Sequence, residues 1–360
     1  MLETDAERGT RDARTRERAN ARTRLSRLDV SAIDIPPRLI LNPRAGHKLG
    51  MSTNTATLET VEHALNEAGL HVVIETTRAP RHATELARQA VRDGCKLVIA
   101  AGGDGTIAEA GDGLVDCDVV LGIMPLGSIM NMARTLCIPR DLNQAARTIA
   151  SGQVLAMDVG SVKSHLFLEA GGVGLAAGLF GYFNRLDTGA RRGNVLRAAW
   201  RFLNHLGSPR MLIVADGQRF DVRALMVTVS NGPYVGAAYA LAPQARIDDG
   251  LLDVVIFRGM GVVRLLVHMA LVAGGRRLPP PQGVQLVRAQ SVQVAVQRRR
   301  PLPVHADGAA VGVTPTRFDV LPAALRVMVG NAEPGATCAW GAESEYIPSL
   351  LNGPDDVDGG

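Results

Sequence analysis

Three short loops in the first half of the chain carry residue types that can bind phosphate. They are Asn-Pro-Arg-Ala-Gly at residues 42–46, Gly-Gly-Asp-Gly-Thr at 102–106, and the segment 125–131 with Pro-Leu-Gly-Ser and a closing Asn. Each loop follows a short apolar run of the kind found in buried parallel strands. Ligands of open α/β sheets bind beyond the carboxyl ends of such strands, so we expect the three loops to share one crevice.

The loop at residues 102–106 is the most specific of the three. Its glycines let backbone N–H groups approach phosphate oxygens, and Asp104 offers an oxygen ligand for Mg²⁺. Thr106 lies where the next helix begins, and the N–H groups and positive dipole end of that helix would contribute to the same anion-binding site. A tight strand-to-helix turn without a ligand is the alternative, because Gly and Asp are ordinary turn residues. The G-x-x-x-x-G-K-[ST] pattern does not occur, which excludes a P-loop NTPase.

The order of the motifs resembles the diacylglycerol kinase catalytic-domain family, which includes bacterial lipid kinases, sphingosine kinases and ceramide kinases. The matching segments are residues 42–46, 102–106, 125–134, Ala-Pro-Gln-Ala at 242–245, Asp-Gly-Leu-Leu-Asp at 249–253, and Asp307-Gly308. They span about residues 37–330. NAD kinases share the Gly-Gly-Asp-Gly-Thr loop but not the Asn-Pro-x-Ala-Gly opening with this distant Asp-Gly pair.

The hydrophobic pattern predicts two domains in an α/β plus β fold. Residues 37–159 alternate short apolar strands with amphipathic helices, which indicates a Rossmann-like nucleotide-binding domain. Residues 160–330 contain short β-rich runs separated by turns, typical of an antiparallel sandwich or barrel. The resemblance implies that this second domain is a β-sandwich that holds the lipid, and that its last strands return to the first domain. Residues 1–36 and 331–360 are expected to be disordered tails.

The resemblance also implies an activity, namely transfer of the γ-phosphate of ATP to the hydroxyl of diacylglycerol or a related long-chain lipid alcohol, with ATP and Mg²⁺ as cofactors. The residues expected to bind ATP are Asn42, Pro43, Gly46, Gly102, Gly103, Asp104, Gly105, Thr106, Gly127, Ser128 and Asn131. Asp104 is expected to hold Mg²⁺ directly or through water. By resemblance to the family's Asp-Gly-Glu motif, Asp307 would take the proton from the lipid hydroxyl. A hairpin turn made by Asp307-Gly308 is the alternative.

Three carboxylates of the family pattern are missing. Ala309 stands where the Glu after Asp307 is expected, Met132 follows Asn131 in place of an Asp, and Ala176 replaces an Asp in a glycine-rich stretch. Lost carboxylates remove charge that would bind metal or activate the acceptor. A catalytically impaired lipid-binding or nucleotide-binding protein of the same fold is therefore a second hypothesis, and NAD kinase is a third.

A second, structural Mg²⁺ site is suggested by Asp248 and Asp249, together with Gly250 and Asp253. Adjacent carboxylates and carbonyls at a turn suit a hard cation, and such a site occurs here in some bacterial relatives. A solvated turn before the next strand is the alternative.

Composition agrees with a cytoplasmic enzyme that is peripherally associated with a membrane, and the resemblance implies a role in lipid metabolism and phospholipid synthesis. The net charge of +4 and aromatic content of 4% are too low to indicate a nucleic-acid partner. The four cysteines are far apart, and reduced thiols are expected. No transmembrane segment is expected, because the longest apolar stretch, 262–273, contains charge and is too short. Arginines along 191–206 beside apolar residues suit a helix at an anionic membrane surface, and a core-packed helix with a solvated basic face is the alternative. A homodimer is left open.

Overall fold

The computed structural model describes residues 25–48, 51–52, 56–174, 208–234, 241–259, 261, 264–265, 267, 283–297 and 300–330. Several predicted segments lie outside these residues: the basic helix at 191–206, most of the apolar stretch 262–273, Ala176 and the segment 331–360.

The first half of the chain contains a parallel sheet whose central strands are buried on both faces. Its strands lie in the order β5-β2-β6-β7, and all neighbours are parallel. The strands are β2 (Arg38–Leu41), β5 (Val73–Thr76), β6 (Leu97–Gly102) and β7 (Val120–Pro125). A small hairpin of β3 (His47–Lys48) and β4 (Met51–Ser52) follows β2. Residues of β6 and β7 are buried throughout, as continuous apolar strands in a helix-covered sheet require.

Helices connect these strands and cover the sheet. They are α1 (Leu58–Glu67), α2 (His82–Arg92), α3 (Asp104–Leu114), α4 (Asn131–Thr135) and α5 (Leu142–Ala150). Thr57 and Thr60 form a capping box that starts α1. Helices α2 and α3 pack closely because residue 113 is glycine: a Cβ there would lie 2.7 Å from the Cβ of Ala87.

The second half is antiparallel and packs around its own apolar core. Its strands are β8 (Gln153–Val162), β9 (His165–Phe167), β10 (Ala170–Gly174), β11 (Arg210–Ala215), β12 (Gln218–Ser230), β13 (Leu252–Arg258), β14 (Val284–Ala289), β15 (Ser291–Val296), β16 (Pro303–Ala306) and β17 (Ala309–Val313). Phe167 and Phe318 meet edge to face in this core, with ring centroids 6.3 Å apart.

The last strand, β18 (Thr316–Met328), belongs to both halves. It pairs antiparallel with β15 and β8, and Arg326 and Val327 pair in parallel with Val120 and Leu121 of β7. One continuous sheet therefore runs from the parallel strands into the antiparallel ones. The predicted fold class, an α/β nucleotide-binding half followed by a β-sandwich half, is confirmed.

Two sequence expectations differ from the structure. Residues 25–36 were assigned to a disordered tail, but β1 (Leu25–Arg27) pairs with β8, and a 3₁₀ turn follows at Val30–Ala32. Four apolar side chains explain the order, because Leu25, Leu28, Val30 and Ile33 pack against the core of the first half.

The expectation of reduced thiols is wrong for Cys137, which is disulfide-bonded, whereas Cys95 and Cys117 are free. Sequence spacing does not report the distance between two Cα atoms in the fold, and that distance decides whether a disulfide can form. Among the described residues, no helix has the length and apolar character needed to cross a membrane.

Candidate active site

The three predicted loops lie side by side at the carboxyl ends of β2, β6 and β7. The backbone N–H of Asn42 donates to the carbonyl of Ala101, and its Nδ2 donates to Oγ1 of Thr106 at 2.9 Å. The N–H of Leu126 donates to the carbonyl of Gly102 at 3.0 Å. Hydrogen bonds thus join the first loop to the second and the second to the third.

Glycines allow the second and third loops to touch. A Cβ on Gly127 would lie 2.7 Å from Cα of Gly103 and 2.6 Å from Sδ of Met130. A Cβ on Gly102 would overlap the side chain of Thr106. Gly105 is different, because a Cβ there would meet no atom within 4 Å. The first turn of α3 is therefore open at Gly105, where its N–H groups can reach a ligand.

The remaining predicted phosphate-binding residues surround this opening. Pro43 is exposed at the rim, and the backbone of Gly46 has a φ of 77°, which favours glycine. Ser128 is half-buried beside Gly127. Asn131 is buried at the start of α4.

The carboxylate of Asp104 joins the second loop to α4. Its Oδ1 accepts the backbone N–H of Met132 at 3.1 Å, and the amides of Asn131 and Met130 also bond to the carboxylate. Burial raises the pKa of Asp104, while the hydrogen bonds from these backbone amides oppose the rise. Asp104 therefore positions the two phosphate loops relative to each other.

Asp307 lies in the turn between β16 and β17 and is tied to the segment between β9 and β10. Its Oδ2 accepts the N–H of Leu168 at 2.7 Å, and its Oδ1 accepts those of Glu169 and Ala170, each at 3.0 Å. Positive φ angles at Asp307 (42°) and Gly308 (78°) are those of a two-residue hairpin. The hairpin alternative is thus correct as local structure, and it does not exclude a chemical role.

The same carboxylate has the properties of a base. Burial, together with the smaller effect of the nearby charge of Asp104, raises the pKa of Asp307 to about 6 against the three hydrogen bonds from backbone amides. A carboxylate has about four lone-pair sites and three are occupied here, so Oδ2 can still accept a hydroxyl proton.

Glu169 is a site residue that the sequence reading missed. Its Oε2 accepts a hydrogen bond from Nδ2 of Asn131 at 2.9 Å, and its carboxyl also bonds to that of Asp104. Burial, followed by the charges of Asp104 and Asp307, raises the pKa of Glu169 well above its ordinary value. The signal in the sequence was a lone acid inside the apolar run 165–170.

Asp158, Asn231 and Glu169 connect the strands beneath the site. Oδ2 of Asp158, a fully buried residue, accepts the N–H of Gly250 at 2.6 Å, and Oδ1 accepts that of Ala323 at 2.8 Å. The side-chain amide of Asn231 donates to the carbonyls of Asp158 and Leu168, and its backbone N–H donates to the carbonyl of Glu169. These bonds fix Glu169, and with it the backbone that holds Asp307.

A cation also lies at the junction of the two halves. The guanidinium of Arg134, on α4, is 4.9 Å from the ring centroid of Tyr234 in the loop after β12. That loop packs against α4, where a Cβ on Gly232 would contact Thr135. Arg134 adds positive charge one helical turn from Asn131.

Metal ligands are predicted at two separate sites, Asp104 beside the ATP phosphates and Asp248 with Asp249 at the acidic turn. Asp104 is in the cleft, whereas Asp248 pairs with Arg246 (Nε to Oδ1, 3.1 Å), and Asp249 accepts the N–H of Leu251. Within the part of the chain that the structure describes, no group of three or more His, Cys, Asp or Glu residues could hold a metal ion. Asp104 alone fits Mg²⁺ that arrives with a nucleotide, because such an ion takes most of its ligands from phosphates and water.

Comparison with known proteins agrees with this geometry. The model of the diacylglycerol kinase catalytic domain matches residues 36–162, and the model of the YegS C-terminal NAD kinase beta sandwich-like domain matches residues 181–329. Similar proteins include the "Probable lipid kinase YegS-like" of Pseudomonas aeruginosa, which is 30% identical over 75% of this chain and 89% of its own. The chain belongs to the diacylglycerol kinase and YegS-like family of lipid kinases.

Other members of this lipid kinase family cover a similar extent. The diacylglycerol kinase of Bacillus subtilis is 29% identical over 78% of this chain and 92% of its own. The lipid kinase YegS of Escherichia coli K12 is 28% identical over 77% of this chain and 92% of its own. A crystal structure of a diacylglycerol kinase from Bacillus anthracis superposes with a TM-score of 0.63 over 83% of this chain and 98% of that one, at 23% identity, which supports the shared fold.

Proposed function

We propose that this lipid kinase transfers the γ-phosphate of ATP to the hydroxyl of diacylglycerol or a related long-chain lipid alcohol, a step in phospholipid synthesis. The observation that carries the proposal is the chain of contacts from the phosphate loops to the base. Asn42 bonds to Thr106, Asp104 bonds to the start of α4, and Glu169 joins Asn131 to the backbone that holds Asp307.

The residues divide the chemistry between the two halves. The open N–H groups at the start of α3 and the side chain of Asn42 bind the phosphates, and Arg134 adds positive charge nearby. Oδ2 of Asp307 accepts the proton of the lipid hydroxyl as the hydroxyl oxygen bonds to the γ-phosphorus, while the bond from that phosphorus to the β-phosphate oxygen breaks and ADP leaves. Glu169 holds Asn131 and Asp307 at a fixed separation. Mg²⁺, when bound with ATP near Asp104, would supply charge neutralisation on the phosphates.

A lipid acceptor implies that the enzyme works at a membrane surface. The arginine-rich segment 191–206 lies outside the described residues, so its contact with lipid rests on sequence alone. We propose peripheral association through these cations. Reversal of Arg197 and Arg201 to Glu should weaken binding to anionic vesicles, and high salt should have the same effect.

The reaction can be tested with radiolabelled ATP and a panel of acceptors: diacylglycerol, sphingosine, ceramide and NAD. We expect label in a phosphorylated lipid. Label in NADP would instead establish an NAD kinase, and no label with any acceptor would favour the impaired binding protein.

Asp307→Asn tests the proposed base, and the chain offers a matched control. Asp216 is also followed by glycine in a hairpin with φ angles of 43° and 88°, and its carboxylate also accepts backbone N–H groups, from Gln290 and Ser291. We expect both Asn variants to lose similar stability but only Asp307→Asn to lose transfer, by about 10²–10⁴-fold. Equal activity in the two variants would show that Asp307 only closes a turn.

A further inference from the structure

The acidic turn suggested as a second Mg²⁺ site is closed by an arginine from the next strand. Asp253 of β13 and Arg288 of β14 are directly opposite in an antiparallel pair, which places both side chains on one face. Nε of Arg288 lies 3.3 Å from Oδ1 of Asp253, and Nη2 donates to the carbonyl of Gln244 at 2.9 Å. Nη1 lies 4.0 Å from Oδ2 of Asp249. One guanidinium therefore reaches two carboxylates and a carbonyl.

These oxygens are of the type that a hard divalent cation binds. Asp253 is only 1% exposed, and its Oδ2 has no hydrogen-bond partner among the described residues. A buried carboxylate is strongly destabilising unless a positive charge lies beside it. A cation beside Asp253 offsets this cost, and Arg288 supplies one.

We propose that Arg288 acts as a built-in cation at this turn, in the position that a divalent metal ion would need, so that the β-sandwich half folds without a metal ion there. Asp248 takes no part, because Arg246 already pairs with it. The inference is independent of the phosphoryl-transfer reaction.

Thermal unfolding without nucleotide provides the test. We expect the Tm of the wild type to be the same in EDTA and in millimolar Mg²⁺ or Ca²⁺. Arg288→Met keeps an apolar stem but removes the charge, so the Tm of this variant should fall by several degrees in EDTA. The Tm should recover as Mg²⁺ or Ca²⁺ binds the oxygens that Arg288 contacts in the wild type. Arg258→Met is the matched control, since Arg258 lies on β13 beside β14 and its guanidinium, within the described part of the chain, donates to the uncharged amide oxygen of Gln285. Its Tm should not respond to metal.

Asp253→Asn added to Arg288→Met should remove both the buried charge and the recovery by metal. The proposal is overturned if the Tm of the Arg288→Met variant does not respond to either metal ion. It is also overturned if the wild type gains Tm with metal and Asp253→Asn abolishes that gain.

Should Arg288→Met fail to fold, Mn²⁺ binding measured by electron paramagnetic resonance on the wild type and on Asp253→Asn gives the answer instead. Equal Mn²⁺ binding by the wild type and by Asp253→Asn supports Arg288 as the resident cation. A bound Mn²⁺ ion that is present in the wild type and absent in Asp253→Asn refutes the proposal.

Discussion

At the scale of single residues, Asp307 illustrates how one carboxylate both closes a turn and keeps a basic oxygen. Three amides hold it, yet burial and the charge of Asp104 keep its pKa at about 6 rather than at the ordinary 3.8. The turn orients the carboxylate, and its raised pKa makes it a stronger base than an exposed aspartate would be.

The raised pKa predicts a pH dependence. A base works only when deprotonated, so kcat/KM for the lipid should fall about tenfold per pH unit below pH ~6 and level off above it. A profile measured between about pH 5 and pH 8 should show this acid limb. A flat profile down to about pH 5 would mean that Asp307 is not the group whose protonation limits the reaction.

Glu169 predicts a contrast between two substitutions. Glu169→Gln can still accept from Asn131 and donate to Asp104, so we expect near wild-type kcat/KM. Glu169→Leu loses both bonds and should lower kcat/KM on the order of 10²-fold, which corresponds to two hydrogen bonds of roughly 1–1.5 kcal/mol each. If Gln is as damaging as Leu in folded protein, the acid proton itself is needed rather than the positioning.

Much of the phosphate site could be predicted from the residues, because each motif follows a strand and parallel strands end at one edge. Asn42 and Thr106 are 64 positions apart, yet their hydrogen bond follows from the neighbouring places of β2 and β6. Glu169 could not be predicted, since its role depends on contacts with Asn131 and Asp307 from distant segments. The family motifs concern the positions of Ala309, Met132 and Ala176, where carboxylates are missing, and do not include Glu169.

At the scale of elements, the loops after β6 and β7 use glycine for two different reasons. Gly105 lies in the first turn of α3 with open space around its Cα, whereas Gly127 is pressed against Met130 and Gly103. The first glycine gives a ligand access, and the second lets two loops approach each other.

This difference predicts opposite outcomes for two alanine variants. Gly105→Ala should keep or slightly raise the Tm, because alanine favours helix, but should weaken ATP binding measured by calorimetry. Gly127→Ala should lower the Tm, because its methyl group overlaps Met130 and Gly103. Unchanged ATP affinity in Gly105→Ala would place the phosphates away from the start of α3.

Secondary structure was predicted best where the pattern was strong. Apolar residues at helical spacing over 83–91, followed by Gly94, predict the helix that the structure shows as α2, and the apolar run 317–329 predicts the strand that the structure shows as β18. The pattern does not predict every strand, and β10 is one that it leaves out. Gly171 and Gly172 in β10 carry no side-chain pattern, and they are required because added Cβ atoms would collide with Phe318 and His305.

At the scale of the whole molecule, β18 makes the two halves depend on each other. Val327 is fully buried and pairs with Leu121 of β7 and Leu155 of β8. The same strand reaches β15 through its first residues. If the halves folded separately, β7 would keep its pairing with β6 but would lose its pairing with β18.

We therefore expect a single unfolding transition that Val327→Asp shifts as a whole. A buried, unpaired carboxylate should destabilise both halves, whereas Val313→Asp, at a site 46% exposed, should have little effect. Circular dichroism would record the unfolding transition, and hydrogen exchange in β11 and β12 would report whether the second half is destabilised with the first. Two separate transitions, with only one shifted by Val327→Asp, would contradict the expectation.

The shared strand also has a consequence for how the protein is made. Val120 is synthesised long before its partner Arg326, and at about 5–20 residues per second the ribosome needs roughly 10–40 s to cover that distance. During this interval the outer edge of β7 is an unpaired apolar strand next to the phosphate loops. The nascent chain thus has an obligatory stage at which a chaperone, or a second nascent chain, can bind the edge that β18 later covers.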